Sequence, residues 1–171
     1  NNGYDHSTGV GVRVGYFYDG SPVKFGASFS PKTHMSKFDK YKGLLAGQGG
    51  FDIAENWAIG VGWDIPLAPI RPVFIGCEYL RIKYSGIPSV GNSSRIALPL
   101  GVDNGPGFGW KDVDVNRCGV QHDFGMGWTG RAGVNRGTNP IGSSDVTFNI
   151  LAPGVVTVHY PLGATKQIGG N

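Results

Sequence analysis

The chain has 171 residues, 40% of them hydrophobic and only 16% charged, with a net charge of +3. Its length asks for a single domain, and the scattered basic residues, clustered only at Lys37, Lys40 and Lys42, leave no nucleic-acid footprint. Glycine accounts for 30 residues without a collagen period, and each interior glycine costs a helix about 1 kcal/mol relative to alanine. Aromatic residues at 12% argue against disorder. No apolar run approaches the roughly 20 residues of a membrane helix. What remains is β-structure with tight turns.

The first predicted strand places Val10, Val12, Val14, Tyr16 and Tyr18 on one face and Gly9, Gly11, Arg13 and Gly15 on the other. After the tight turn at residues 19–22, Val23, Phe25, Ala27 and Phe29 alternate with Lys24, Gly26, Ser28 and Ser30. A long loop, residues 31–55, leads to the third strand, where Trp57, Ile59, Val61 and Trp63 oppose Asn56, Ala58, Gly60, Gly62 and Asp64. Such period-two patterning is that of strands with one apolar face and one polar or small face.

A proline-rich turn at 65–71 precedes a fourth strand that starts with Val73, Ile75, Cys77 and Tyr79 on one face. It then changes phase to Leu80, Ile82 and Tyr84, predicting a bulge near Tyr79. Beyond a second long loop, 86–112, the fifth strand carries Cys118, Val120, His122 and Phe124 on its apolar face. The tight turn at 124–127 opens the sixth, with Trp128, Ala132 and Val134, together with Gly130, against Thr129, Arg131, Gly133 and Asn135. A third long loop, 138–154, leads to the seventh, where Val156, Val158, Tyr160, Leu162 and Ala164 alternate with Thr157, His159, Gly163 and Thr165.

Short turns alternating with long loops are the pattern of an outer-membrane barrel, and aromatic residues near strand ends (Tyr16, Tyr18, Trp57, Trp63, Tyr84, Trp110, Trp128) match an interfacial girdle. A soluble sandwich would carry lysine, glutamate and threonine on its outer face; here the non-apolar face is mostly glycine, serine and asparagine. The expected fold is therefore all-β, an antiparallel transmembrane β-barrel segment of about seven strands occupying residues 1–171. Val12, Val14, Phe25, Ile59, Val61 and Val158 are expected to face lipid, with Arg13, Lys24, Arg131 and His159 in the lumen. Cys77 and Cys118 are expected to stay unbonded, because wall-facing side chains on non-adjacent strands cannot reach bridging distance.

No catalytic constellation is found. His6, His34, His122 and His159 share no ligand spacing, Ser89 does not sit in a nucleophile elbow, and the glycine clusters at 47–50 and 105–109 lack the lysine and helix of a phosphate loop. No metal and no cofactor is expected. The functional signal lies in the loop 31–55, where Met35, Phe38, Tyr41, Leu44, Leu45 and Phe51 form an apolar set among lysines. Met35, Phe38, Tyr41 (or Lys42) and Leu45 are spaced for a short amphipathic helix, either a surface for an acyl chain, with the lysines attracting a carboxylate or lipopolysaccharide phosphates, or a surface that packs on the neighbouring loops.

A series of segments then resembles the outer-membrane family of long-chain fatty-acid and aromatic-hydrocarbon transporters, in its C-terminal half: Phe25-Gly-Ala-Ser-Phe-Ser-Pro-Lys-Thr33, Lys37-Phe-Asp-Lys-Tyr-Lys-Gly43, Phe51-Asp-Ile53 with Asn56-Trp57, Ile82-Lys-Tyr-Ser-Gly-Ile-Pro-Ser-Val-Gly-Asn92, Asp103-Asn-Gly-Pro-Gly-Phe-Gly-Trp-Lys-Asp112, Trp128-Thr-Gly-Arg-Ala-Gly133, Asn139-Pro-Ile141 and Phe148-Asn-Ile-Leu-Ala-Pro-Gly154. The resemblance implies a fourteen-stranded barrel plugged by an N-terminal hatch, taking up hydrophobic molecules passively in a bacterial outer membrane among lipid and lipopolysaccharide. Neither the hatch nor the family's last strands is recognisable, so the resemblance implies an incomplete chain. The sequence departs from the family at Cys118, His122 and Pro161, the last placed mid-strand where it removes a ladder bond. The alternative from another class is a soluble all-β adhesin or lectin-like interaction domain with the long loops as its binding surface, and a third is a β-rich hydrolase.

Overall fold

The computed structural model describes residues 3–67 and 71–169. Its strands are β1 (Val14–Gly20), β2 (Val23–Ser30), β3 (Asn56–Ile65), β4 (Val73–Ile82), β5 (Val113–Gly125), β6 (Trp128–Gly137), β7 (Val158–His159) and β8 (Leu162–Lys166). They form one antiparallel sheet in chain order, each strand paired with the next, except that β7 and β8 both pair with β6. These two short strands are halves of the seventh predicted strand. The ladder breaks at Tyr160 and Pro161, where proline has no N–H to give, yet the Pro161 carbonyl still accepts from Gly133 N at 3.0 Å. Residues 9–13, predicted as part of the first strand, lie outside β1 and meet the rest through a bridge from Gly9 to Met35, the Val12 carbonyl accepting from Ser30 Oγ at 3.4 Å, and Arg13 Nη2 donating to Asn56 Oδ1 at 3.3 Å.

The register sorts the side chains into two faces. Tyr18, Phe25, Val61, Cys77, Cys118 and Val134 lie in one cross-strand row, flanked by the row of Ile59 and Tyr79 and by that of Trp63, Ile75, Val120, Ala132 and Leu162. The opposite face carries Lys24, Gly62, Gly76, Gly119 and Gly133 in one row and Gly26, Gly60, Glu78, Arg117, Asn135 and His159 in the next. The apolar face is the exposed one: Phe25 is 44% exposed, Val61 54% and Trp63 52%. The small and polar face is mostly half-buried, with Gly62 buried outright. This is the reverse of a water-soluble sheet, and no second sheet covers the apolar side among the described residues. Val14, Phe25, Ile59, Val61 and Val158 fall on the apolar face and Lys24, Arg131 and His159 on the other, as the alternation predicts.

Trp57 and Trp63 bracket the exposed band on β3, six residues or about 20 Å apart at strand rise. Trp57 packs on Tyr79 with ring centroids 5.3 Å apart, and Tyr79 Oη donates to Asp114 at 2.5 Å. Arg81 reaches Asp114 at 3.2 Å and Asp112 at 3.4 Å, so the band ends in charge on the side of the long loops. At the other end Lys166 sits over Trp128, 5.1 Å from its ring centroid. Aromatic residues flanking an apolar belt, with charges beyond them, match the two interfaces of a bilayer.

Two expectations need correction. No bulge occurs near Tyr79, because β4 keeps unbroken register with both β3 and β5. Leu80 and Ile82 point to the inner face, in rows with Val115 and Val113, both buried. The hydrophobic phase changes because the inner face itself turns apolar where the loops cover it. The irregularity lies instead on β5, between Asp123 and Gly125, beside a two-residue turn in which Met126 and Gly127 have φ of 49° and 77°. Positive φ at both positions matches the twist of a hairpin.

Cys77 and Cys118, expected to remain free, form a disulfide. The strands that carry them are direct neighbours despite the long loop between them, and the register sets the two residues opposite each other with Cα atoms 4.1 Å apart. Both side chains leave the sheet on the same face, so the condition assumed against bonding, non-adjacent strands, does not hold.

The orientation of the faces has a measurable consequence. With the protein reconstituted in bilayers, Val61→Arg should destabilise by about 2–4 kcal/mol. Asn135→Arg, on the other face, should cost less than about 1 kcal/mol by the same denaturant titration. Equal costs at the two positions would contradict the assignment of faces.

Candidate functional site

All three long connections emerge at one end of the sheet, and they pack together. The first, 31–55, is tied to the second, 83–112, by Gly47 N donating to Val102 O at 3.1 Å and Gln48 N to Gly101 O at 2.7 Å. The second meets the third, 138–157, through a bridge between Trp110 and Ile141 and through Lys111 N to Pro140 O at 2.9 Å. Ala54, Ile87 and Val90 are buried together, with Ile82, Tyr84 and Trp110 packed around them. Ile87, 1% exposed, is the most deeply buried large side chain described, and it lies in a loop.

Asp145 fastens the third loop to the second. Its carboxylate accepts from Ser93 Oγ at 3.0 Å, Ser94 N at 2.8 Å, Ser94 Oγ at 2.6 Å and Ser144 Oγ at 2.8 Å. Burial raises its pKa, but the bonds from Ser94, Ser144 and Ser93 outweigh that and hold it at about 2. Asn149 adds a second tie, donating to Phe108 O and Asp145 O and accepting from Trp110 Nε1. Nothing in the sequence marked Asp145, because its four donors come from two loops; the spacing of Ile82, Tyr84, Ile87 and Val90 was the available signal for the apolar cluster.

The six loop residues singled out from the sequence lie at this end but do not build the expected amphipathic helix. Only a 3-10 turn, Asp39–Tyr41, and a single turn, Ala46–Gly49, are formed. Gly47 and Gln48 have φ of 72° and 57°, and Phe38 N bonds Gly49 O at 2.8 Å, so the segment closes into a compact loop. The three glycines at 47, 49 and 50 explain why helical spacing loses here. Met35, Phe38, Tyr41 and Leu45 are half-buried, with Tyr41 Oη donating to Gly3 O at 2.8 Å. Leu44 and Phe51 remain exposed, at 39% and 40%.

Below the loops, the inner face of the sheet is a trough of about 930 Å³. Its floor is the glycine rows, and the ring of Phe74 lies across Gly62 and Gly76, where an added Cβ would come within 2.6 and 3.0 Å of it. Its charges are arranged in cross-strand sets: Lys24 with Asp19 and Asp64, Glu78 with Arg117 at 3.2 Å, and Arg131 with Gln121 and Thr165. The trough therefore alternates apolar floor with ion pairs at Lys24 and Arg117, and with Arg131 hydrogen-bonded to neutral side chains.

The sequence matches no family model and no curated protein. Among solved structures it is similar to the CymD monoaromatic hydrocarbon channel, with a TM-score of 0.50, 18% identity and coverage of 77% of this chain. The chain spans 38% of that channel's length. The likeness is one of fold: a curved antiparallel sheet forming part of a β-barrel.

The loop tie gives a pH prediction. Asp145 has a folded pKa below its unfolded value of about 3.9, so its contribution is fully present above that value and is lost as pH falls through about 2. Hydrogen exchange in the 93–94 and 144–149 segments, taken relative to the unstructured-peptide rate at each pH, should accelerate between about pH 4 and pH 2. Asp145→Ala should speed it at neutral pH by the equivalent of about 2–3 kcal/mol and flatten the acid dependence.

Proposed function

We propose that this chain is wall and loop cap of an outer-membrane channel through which hydrophobic small molecules, long-chain fatty acids among them, pass down their gradient. The observation that carries the reading is the inverted sheet, with its apolar side chains exposed as a belt between aromatic residues and its small and charged side chains on the concave side. A soluble adhesin would have to cover that belt, since contiguous apolar surface of this extent drives association in water. The hydrocarbon channel with a similar fold supports the same class of cargo. Binding energy in such a path comes from burial of apolar area, and direction from concentration alone.

Capture is assigned to the loop end, and within the predicted set to Leu44 and Phe51, the two side chains left open to solvent. Met35, Phe38, Tyr41 and Leu45 support the loop that presents them. Full burial of one such side chain contributes roughly 1.5–3 kcal/mol, whereas an exposed lysine–carboxylate pair gives no more than about 1 kcal/mol. Uptake of a long-chain substrate by cells expressing the channel tests this ranking. Leu44→Ser with Phe51→Ser should lower uptake at least tenfold, and Lys37→Gln should have a smaller, salt-dependent effect. Wild-type uptake by the double variant, with the barrel assembled, would remove this loop from the ligand path.

A further inference from the structure

Three cations line the trough, and two of them are neutralised in place. Lys24 has Asp19 and Asp64, and Arg117 has Glu78 across the strand pair. Arg131 has only neutral partners among the described residues: its Nε donates to Gln121 Oε1 and its Nη1 to Thr165 Oγ1, both at 2.7 Å. The carboxylate one row nearer the short turns, Asp123, is taken by Arg71 and by Gly125 N at 2.8 Å. These two bonds position the guanidinium and use two of its five N–H groups, leaving three, both of those on Nη2 among them, with no partner among the described residues.

Two parallel N–H donors on a fixed plane match the two oxygens of a carboxylate. The surroundings set what that carboxylate is attached to. Phe74 stands next to Gln121 across β4 and β5. Over Gly119 an added Cβ would meet only the Ala132 carbonyl, at 3.4 Å, so no side chain roofs the floor there. A ligand whose head lies on Arg131 can lay its body over Gly119 and against Phe74, toward Gly62 and Gly26 on β3 and β2. From β6 to β2 is four strand spacings, or about 19 Å.

We infer that Arg131, positioned by Gln121 and Thr165, is the head-group site of the channel wall for hydrophobic monocarboxylates. This rests on the concave face being the channel lining. The site makes the path discriminate between molecules of one shape by charge: a carboxylate is held at Arg131, and its neutral counterpart is held only by apolar contact.

The test compares 4-phenylbutyrate with 4-phenylbutanol, measuring dissociation constants by ligand-observed NMR on the assembled channel protein in nanodiscs. Arg131→Gln should raise the constant for 4-phenylbutyrate at least tenfold and that for 4-phenylbutanol less than twofold. Arg131→Lys, which keeps the charge but loses the fork, should fall between wild type and Arg131→Gln for the acid alone. The β-sheet circular dichroism of each variant should equal that of wild type. Unchanged binding of the acid by Arg131→Gln would overturn the inference, and so would equal losses for acid and alcohol, the mark of a merely structural arginine. Loss of the fold in Arg131→Gln with wild-type affinities in Arg131→Lys would assign the residue to an internal ion pair instead. If the wild-type channel binds neither compound, the channel reading itself fails, a result separable from loss of acid selectivity alone.

Discussion

A peptide group facing hydrocarbon has no water to bond, so a chain crossing a bilayer must satisfy its N–H and C=O groups within its own ladder. The order β1 through β6, with β7 and β8 on the last edge, does this with antiparallel neighbours throughout. Once the main chain is satisfied, each strand can expose valine, isoleucine, phenylalanine and tryptophan at no cost to the fold. The same period of two then delivers glycine, serine and paired charges to the concave side. Both the belt and the trough follow from that one constraint. The Cys77–Cys118 bridge fixes the register of β4 and β5 at the middle of the belt, where the pair is apolar enough to face lipid.

A sheet that exposes its apolar residues has nothing left to build a conventional interior, and the core moves accordingly. Among the described residues the buried hydrophobics are Ala46, Ala54, Ile87, Val90, Val113 and Val115, all in the loops or at the strand ends beneath them. The loop end therefore behaves as a small globular cap, with its own apolar cluster and its own buried polar tie at Asp145. Asp112 belongs to the same construction: burial opposes its charge, but bonds from Ser85 and Arg81 lower its pKa below the usual value. Such a cap can hold Leu44 and Phe51 in place at the loop end, where mobile loops would lose them to entropy.

The strands were legible in the sequence because alternation is local: Val23 to Ser30 and Asn56 to Ile65 read off directly, and so does the face on which Lys24 or Arg131 falls. What depended on distant partners was not legible. Leu80 and Ile82 looked like a bulge because nothing local tells that loops will cover one end of the inner face. The cysteines looked unpaired because adjacency of β4 and β5 is hidden by the 83–112 connection. Helical spacing from Met35 to Leu45 was overridden by the glycines at 43, 47, 49 and 50, which let the chain turn back on itself. The face on which Arg131 falls was legible, but that no carboxylate among the described residues pairs with it appears only when Lys24, Arg117 and Arg131 are seen across the sheet.

The account stands on which face of the sheet meets lipid. Nitroxide labels placed singly at Ile59, Val61 and Val134, and at Ser28, Gly60 and Asn135, read this directly in the membrane-reconstituted protein; the native cysteines, tied to each other, do not compete for the label. The account predicts high accessibility to oxygen and low accessibility to a water-soluble nickel complex at the first three positions, with the opposite preference at the second three. Nickel accessibility at Ile59, Val61 and Val134, or no alternation between adjacent positions 59, 60 and 61, would contradict it.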